Sequence, residues 1–226
     1  MFYLNTKSIT ECSRCGTCCL KGGPALHHED KKILLAGYAG HQHLLTIRKG
    51  EMAFNPLRNI LEPIKKELIK VKGKGDDWAC CFYDEKESSC NIYENRFIEC
   101  CLLKCWDTSE IMSLIGKNTI TRADIINPGD PIMKVIEEHE QKCPFKEINT
   151  LISGLYSGKE KSKILSQLSE FVRKDLAIRS YAVAELGLME EFELFIFGRP
   201  LYKSLNDRGL KVRITDNDIQ VECRPS

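Results

Sequence analysis

The stretch "CSRCGTCC", residues 12–19, sets four cysteines within eight residues. Cys12, Cys15 and Cys18 are each separated by two residues, and Cys19 follows directly. So dense a set of thiols has three uses: disulfides, a metal ion or cluster, or thiol redox chemistry. Two thiolates two residues apart can grip one ion while the backbone between them turns sharply, as in the knuckle of zinc sites. Three cysteines in succession at that interval have the spacing of an iron–sulfur ligand run. Gly16 suits the turn because it tolerates a left-handed backbone. It also brings amide hydrogens near sulfur, where they stabilise thiolate charge.

The rest of the chain helps to choose. Its 226 residues are 42% hydrophobic and 29% charged, close to ordinary globular composition. That length suffices for one large domain or two small ones, with a core of its own. The cysteines therefore do not compensate for a chain too small to fold. The net charge is +1 with both signs interspersed, which argues against a dedicated nucleic-acid binder. No run approaches the ~18 apolar residues of a membrane span, so no membrane partner is expected. The opening MFYLNTKSITEC lacks a charged segment followed by an apolar one and does not read as a secretory signal. A cytoplasmic, reducing location is expected, where clustered cysteines bind metal rather than pair as disulfides.

There are 12 cysteines, and all but Cys143 and Cys223 precede residue 106. The second group lies in CFYDEKESSCNIYENRFIECCLLKC, residues 81–105, where Cys81, Cys90, Cys100 and Cys105 could supply further ligands. With Cys12, Cys15, Cys18 and Cys19 they suit two four-thiolate sites or one multinuclear site. Neighbouring side chains on a strand point to opposite faces, so Cys81 is preferred as ligand and Cys80 as a small buried residue. Cys80, Cys101, Cys143 and Cys223 are expected to pack, as free cysteine often does. His27 and His28 read either as ligands or as a solvent-facing helix start. His41, His43 and His139 have no ligand-spaced partner. Arg96 is expected to anchor its loop, and Tyr93 to belong to the core.

These two separated motifs, in this order, resemble those of the YkgJ-type cysteine-cluster proteins, which are described as zinc- or iron-chelating. The matching residues are Cys12, Cys15, Gly16, Cys18, Cys19, Cys81, Cys90, Ile92, Tyr93, Glu94, Arg96, Cys100 and Cys105, and the resemblance covers about residues 10–106. It implies cysteine-bound metal. A related arrangement in flagellin lysine methylases would imply an iron–sulfur cluster and S-adenosylmethionine. The chain departs from the family pattern at Phe97, where proline is usual, and at Cys101, where arginine is usual. Either Cys101 is an extra ligand or another group, such as Lys104, balances the thiolate charge.

The expected fold is α+β: small strands and irregular loops around a cysteine-rich metal site, then a mainly helical C-terminal region ending in a β-hairpin. The division expected is 1–145 for the cysteine module and 146–226 for the helical region packed on it. Residues 1–11 read as an extended lead-in and 27–40 as a short helix stopped by glycine. A hairpin about Lys49-Gly50 is expected over 43–55, and a strand over 67–75. Helices are expected over 107–117, over 127–143 behind Asp130 and Pro131, over Lys161 to about Gly187, and over 190–200. The stretch 210–223 alternates as a terminal hairpin. The mixed charges of the long helix, among them Arg173, Lys174, Asp175 and Arg179, read as a solvated face. Neither phosphate-loop nor dinucleotide glycine patterns occur, nor an H-E-x-x-H or G-x-S-x-G motif.

The function expected is a metal-binding protein holding iron as an iron–sulfur cluster, with zinc as the alternative cofactor. A structural zinc protein that binds a partner, a methyltransferase-like or redox enzyme using the cluster, and a thiol-redox protein are the competing readings. No protein partner or substrate is specified by the residues.

Overall fold

In the computed structural model the described residues are 12–75, 78–157, 160–215 and 218–224. The lead-in expected over 1–11 lies outside them, as do residues 216 and 217. In chain order the elements are α1 (Lys31–Leu35), β1 (Leu44–Ile47), β2 (Met52–Asn55), β3 (Ile60–Pro63), β4 (Leu68–Val71), β5 (Gly73–Lys74), β6 (Ala79–Cys80), β7 (Tyr83–Asp84) and β8 (Ser89–Cys90). There follow α2 (Ile98–Leu102), α3 (Ser109–Leu114), α4 (Ile132–Lys142), α5 (Phe145–Tyr156), α6 (Lys161–Leu186), α7 (Glu193–Phe197), α8 (Leu201–Asn206), β9 (Leu210–Ile214) and β10 (Ile219–Cys223). The class is mixed α+β, with small antiparallel strand pairs before a helical region and a closing hairpin, as the sequence implied.

The chain forms two compact units, one of residues up to 43 with 70–120, the other of 44–69 with 121–226. In the first unit the elements are short because glycine and polar turns interrupt every apolar run. β5 pairs with β6, Gly73 opposite Cys80, and β7 pairs with β8, Tyr83 opposite Cys90. Helix α1 follows a 3-10 turn and ends at Leu35, before Gly37 in the left-handed region, somewhat earlier than the expected stop. Helix α3 starts behind Asp107, whose carboxylate accepts the Ser109 amide at 2.9 Å. Leu26, Ile33, Val71, Phe82, Phe97 and Ile120 make the apolar interior.

In the second unit α5, α6, α8 and the β9–β10 hairpin enclose the core, centred on Ile148, Leu168, Val172, Leu205 and Val221. Helix α6 forms as expected, buries Leu168, Val172, Ile178 and Ala182 along one face, and closes on left-handed Gly187. Helix α4 begins where Asp130 accepts the Ile132 amide at 2.9 Å. The sequence reading assigned no element to α5.

Two expectations need correction. The hairpin over 43–55 does not form. β2 pairs with β3 instead, Phe54 opposite Leu61. Gly50 donates its amide to Ile64 at 2.9 Å, which extends the β2–β3 ladder past the turn expected to join β1 to β2. The solvated face of α6 also fails at Asp175 and Arg179, both buried. Asp175 accepts from His139 Nε2 at 2.6 Å, from the Leu201 amide at 2.9 Å and from Arg179 Nε at 3.2 Å. A second buried network joins Arg48 to Glu140 at 2.9 Å and Arg122 to both Glu140 and Glu67 at 2.7 Å. Charges so deeply placed persist because each meets an opposite charge and further hydrogen bonds.

Candidate metal centre

The first cysteine group is built by a tight loop. Arg14 and Gly16 both take left-handed backbone, at φ 57° and 75°. The Arg14 amide lies 3.4 Å from the Cys12 sulfur, and the Leu20 amide closes the turn on the Gly16 carbonyl at 2.9 Å. A single 3-10 turn, Cys19–Lys21, follows and sits against β6. The Tyr83 side chain occupies the space beside Gly16, so that a Cβ there would come 1.9 Å from the hydroxyl. Tyr83 also stands opposite Cys90 in the β7–β8 register. One aromatic residue thus ties the first cysteine loop to the second cysteine group.

Cys19, Cys90 and Cys100 each feel the charge of neighbouring sulfurs. Burial pushes the Cys19 thiol up to about 12, and Cys18, Cys80 and Cys90 add to it. Cys100 is driven up by burial and then by Cys80, Cys19, Cys90 and Cys18. Cys90 is raised by burial and by Cys80 and Cys18, against the Ile92 amide and the positive charge of Arg96. The Cys18 and Cys19 sulfurs are 4.0 Å apart. Two thiolates on one tetrahedral zinc, each ~2.3 Å from it, would be ~3.8 Å apart. The Cys18–Cys19 pair alone has the separation that one such ion would set. Burial and neighbouring sulfur charge oppose ionisation of Cys19, Cys90 and Cys100, and a bound cation would relieve that repulsion.

Other cysteines stand differently. Cys80 donates to Cys81, which raises Cys80 and lowers Cys81, and Lys72 and Lys74 favour the Cys81 thiolate further. Cys81 lies just past the end of β6, and its sulfur meets that of Cys80 rather than turning to the opposite face. It is Cys80, however, whose charge reaches Cys19, Cys90 and Cys100. Cys12, Cys15 and Cys105 are exposed. The Thr17 hydroxyl and amide lower the Cys15 thiol. Cys101 is exposed beside the Arg96 carbonyl at 3.5 Å. Cys143 is buried in the second unit, 3.8 Å from the Phe171 carbonyl, and Cys223 is exposed. Among the described residues, no three His, Cys, Asp or Glu side chains are arranged as a ready metal cage.

A polar scaffold supports the thiols. His27 is fully buried, with Nδ1 2.8 Å from the Lys117 carbonyl and Nε2 3.1 Å from Glu99. Both ring nitrogens are engaged, so the ring faces neither solvent nor an ion. His28 is exposed. Glu99, next to Cys100, also accepts the Ala25 amide at 2.8 Å, and its charge acts on Lys70, whose ammonium burial disfavours. Asp30 accepts the amides of His27 at 2.9 Å and Ile98 at 2.8 Å, which fixes the start of α2. Lys104 pairs with Glu110 rather than with the thiols. The sequence reading missed Glu99 and Asp30, because isolated carboxylates carry no spacing signal.

Arg96 lies over the Tyr93 ring at 3.7 Å from its centroid, and Arg14 lies over the same ring at 4.0 Å. Among the described residues neither guanidinium makes a salt bridge to a carboxylate, and Arg96 Nε is buried without a hydrogen-bond partner.

A family model described as "CxxCxxCC: Putative zinc- or iron-chelating domain" matches residues 11–118. No curated protein and no solved structure matches the chain. No helix among the described residues is long and apolar enough to cross a membrane.

Proposed function

We propose that this protein, whose residues 11–118 match the family model of a zinc- or iron-chelating domain, binds iron as an iron–sulfur cluster through its clustered thiols. The observation that carries this reading is that the two cysteine groups stand together: Tyr83 fills the space beside Gly16 and lies opposite Cys90, and the charges of Cys18 and Cys80 act on Cys19, Cys90 and Cys100. Five sulfurs drawn from both groups exceed the four that one tetrahedral ion accepts, which favours a multinuclear centre. Cys12, Cys15, Cys81 and Cys105 border that set in sequence and extend it. Bound there, a cluster would supply one-electron transfer.

The chain's own groups prepare the site for anionic ligands. The Arg14 amide faces the Cys12 sulfur, Lys72 and Lys74 favour ionised Cys81, and Arg96 offsets charge at Cys90. Cys90 and Cys100 are half-buried while Cys18 is exposed, and hydrogen bonding with solvent exposure is what tunes such centres.

Structural zinc is the second reading, favoured by the 4.0 Å Cys18–Cys19 separation, which suits one tetrahedral ion. Serine variants of Cys19, Cys90 and Cys100, each purified without oxygen, test the common premise. Each is expected to carry less metal than the parent chain and to melt earlier. Full metal loading in all three would overturn the thiol assignment.

A further inference from the structure

We propose that Arg96, stacked on Tyr93 with its Nε buried and unmet, is a positioning residue that supplies the thiol centre with a positive counter-charge and a free hydrogen-bond donor. The inference rests on the metal-binding reading above and concerns a side chain that touches no carboxylate. A guanidinium carries five N–H donors in a fixed fork and stays charged at any working pH. Leaving one of those donors buried and unmet is costly. Arg96 Nε is in that position, and the Arg96 guanidinium makes no salt bridge among the described residues. The tyrosine face 3.7 Å away attracts the cation without satisfying its N–H groups. Arg14 lies on the same ring, so two cations share one aromatic and no anion within the described residues relieves them.

The missing acceptor is the ionised centre. Arg96 follows Cys90 by six residues and precedes Cys100 by four, and its charge reaches the Cys90 sulfur. Four thiolates around a divalent ion carry a net charge of about −2, which an unpartnered arginine beside them offsets. Lys104, the other cation close in sequence, is engaged by Glu110.

The test compares the parent chain with Arg96→Gln and Arg96→Lys, each stripped of metal without oxygen and titrated with zinc ion against a chromophoric chelator. Far-UV circular dichroism and thermal melting of the metal-free chains check that the fold is kept. Arg96→Gln is expected to bind zinc about tenfold or more weakly, the usual cost of losing a supporting group around metal ligands. Arg96→Lys, which restores charge without the planar fork, is expected to recover part of that loss. A purely structural role would not produce this ordering in chains of equal melting temperature. Zinc affinity unchanged in Arg96→Gln, with the parent chain binding zinc through its thiols, would overturn this inference alone. A parent chain that binds no zinc and holds no iron would overturn it together with the metal-binding reading.

Discussion

The Tyr83 hydroxyl occupies the space that a side chain at Gly16 would need, 1.9 Å from the position of its Cβ. Gly16 also holds φ at 75°, a conformation that costs any other residue. The loop carrying Cys12 to Cys19 therefore depends on glycine twice over. Gly16→Ala is expected to destabilise the first unit by about 2–4 kcal/mol, from backbone strain and overpacking together. Thermal melting with metal content checks it. Stability and metal content equal to the parent chain would show that the loop does not rest on Tyr83.

Cys80 and Cys81 allow a sharper comparison. Cys80 shares charge with Cys19, Cys90 and Cys100, whereas Cys81 faces Lys72 and Lys74. Cys80→Ser is expected to reduce metal content more than Cys81→Ser. Metal per chain, measured after identical anaerobic purification, decides the order. The reverse order would return the inner position to Cys81.

The α+β class, the long α6 and the terminal hairpin were legible because each rests on local periodicity and caps. The two cysteine motifs themselves were legible, since dense thiols have few uses. Pairing was harder to read. β2 found β3 rather than β1 because Gly50 and Ile64 continue that ladder, a contact no local pattern announces. Asp175 and Arg179 read as solvated because charge on a helix usually is. Their partners His139, Glu193 and the Leu201 amide lie distant in sequence. Cys80 is buried, as expected of it, but alternation alone cannot say which of Cys80 and Cys81 meets the other thiols. His27 proved a scaffold residue, its ring fixed by Lys117 and Glu99 from a later segment.

The His139–Asp175 pair makes the second unit acid-sensitive. Burial holds His139 at about 4, below its usual value, although Asp175 works to raise it. Its Nδ1 is buried without a partner, so a second ring proton would find no acceptor. Asp175 is held at about 2: burial works to raise it, but the His139 hydrogen bond and Arg179 more than offset that. Both folded values lie below the unfolded ones, so the stabilisation is complete above about pH 6.5 and is lost as pH falls. His139 contributes on the order of 3 kcal/mol between about pH 6.5 and 4, and Asp175 adds its loss below about pH 4. Urea midpoints at pH 7, 5.5 and 4.5 should fall in that order in the parent chain. His139→Gln should flatten the decline between the first two, and an unchanged decline would place the effect elsewhere.

Glu140 stands between two buried arginines, 2.9 Å from Arg48 and 2.7 Å from Arg122. Burial would raise its carboxyl, but the two guanidinium groups hold it below the usual carboxylate range. Removing it leaves Arg48 without a carboxylate partner and Arg122 with Glu67 alone. Glu140→Ala is expected to cost about 3 kcal/mol, the loss typical of breaking a buried pair on one side. A shift in urea midpoint with unchanged slope would confirm it, and an unchanged midpoint would mean that the arginines find other partners.

The most direct test of the thiol centre is elemental: iron, zinc and acid-labile sulfide per chain, in full-length protein purified without oxygen. Iron together with sulfide is the predicted result and would establish a cluster. Zinc without sulfide would contradict the cluster while keeping the thiolate site. A chain holding neither metal, with its cysteines free to alkylation, would contradict metal binding itself.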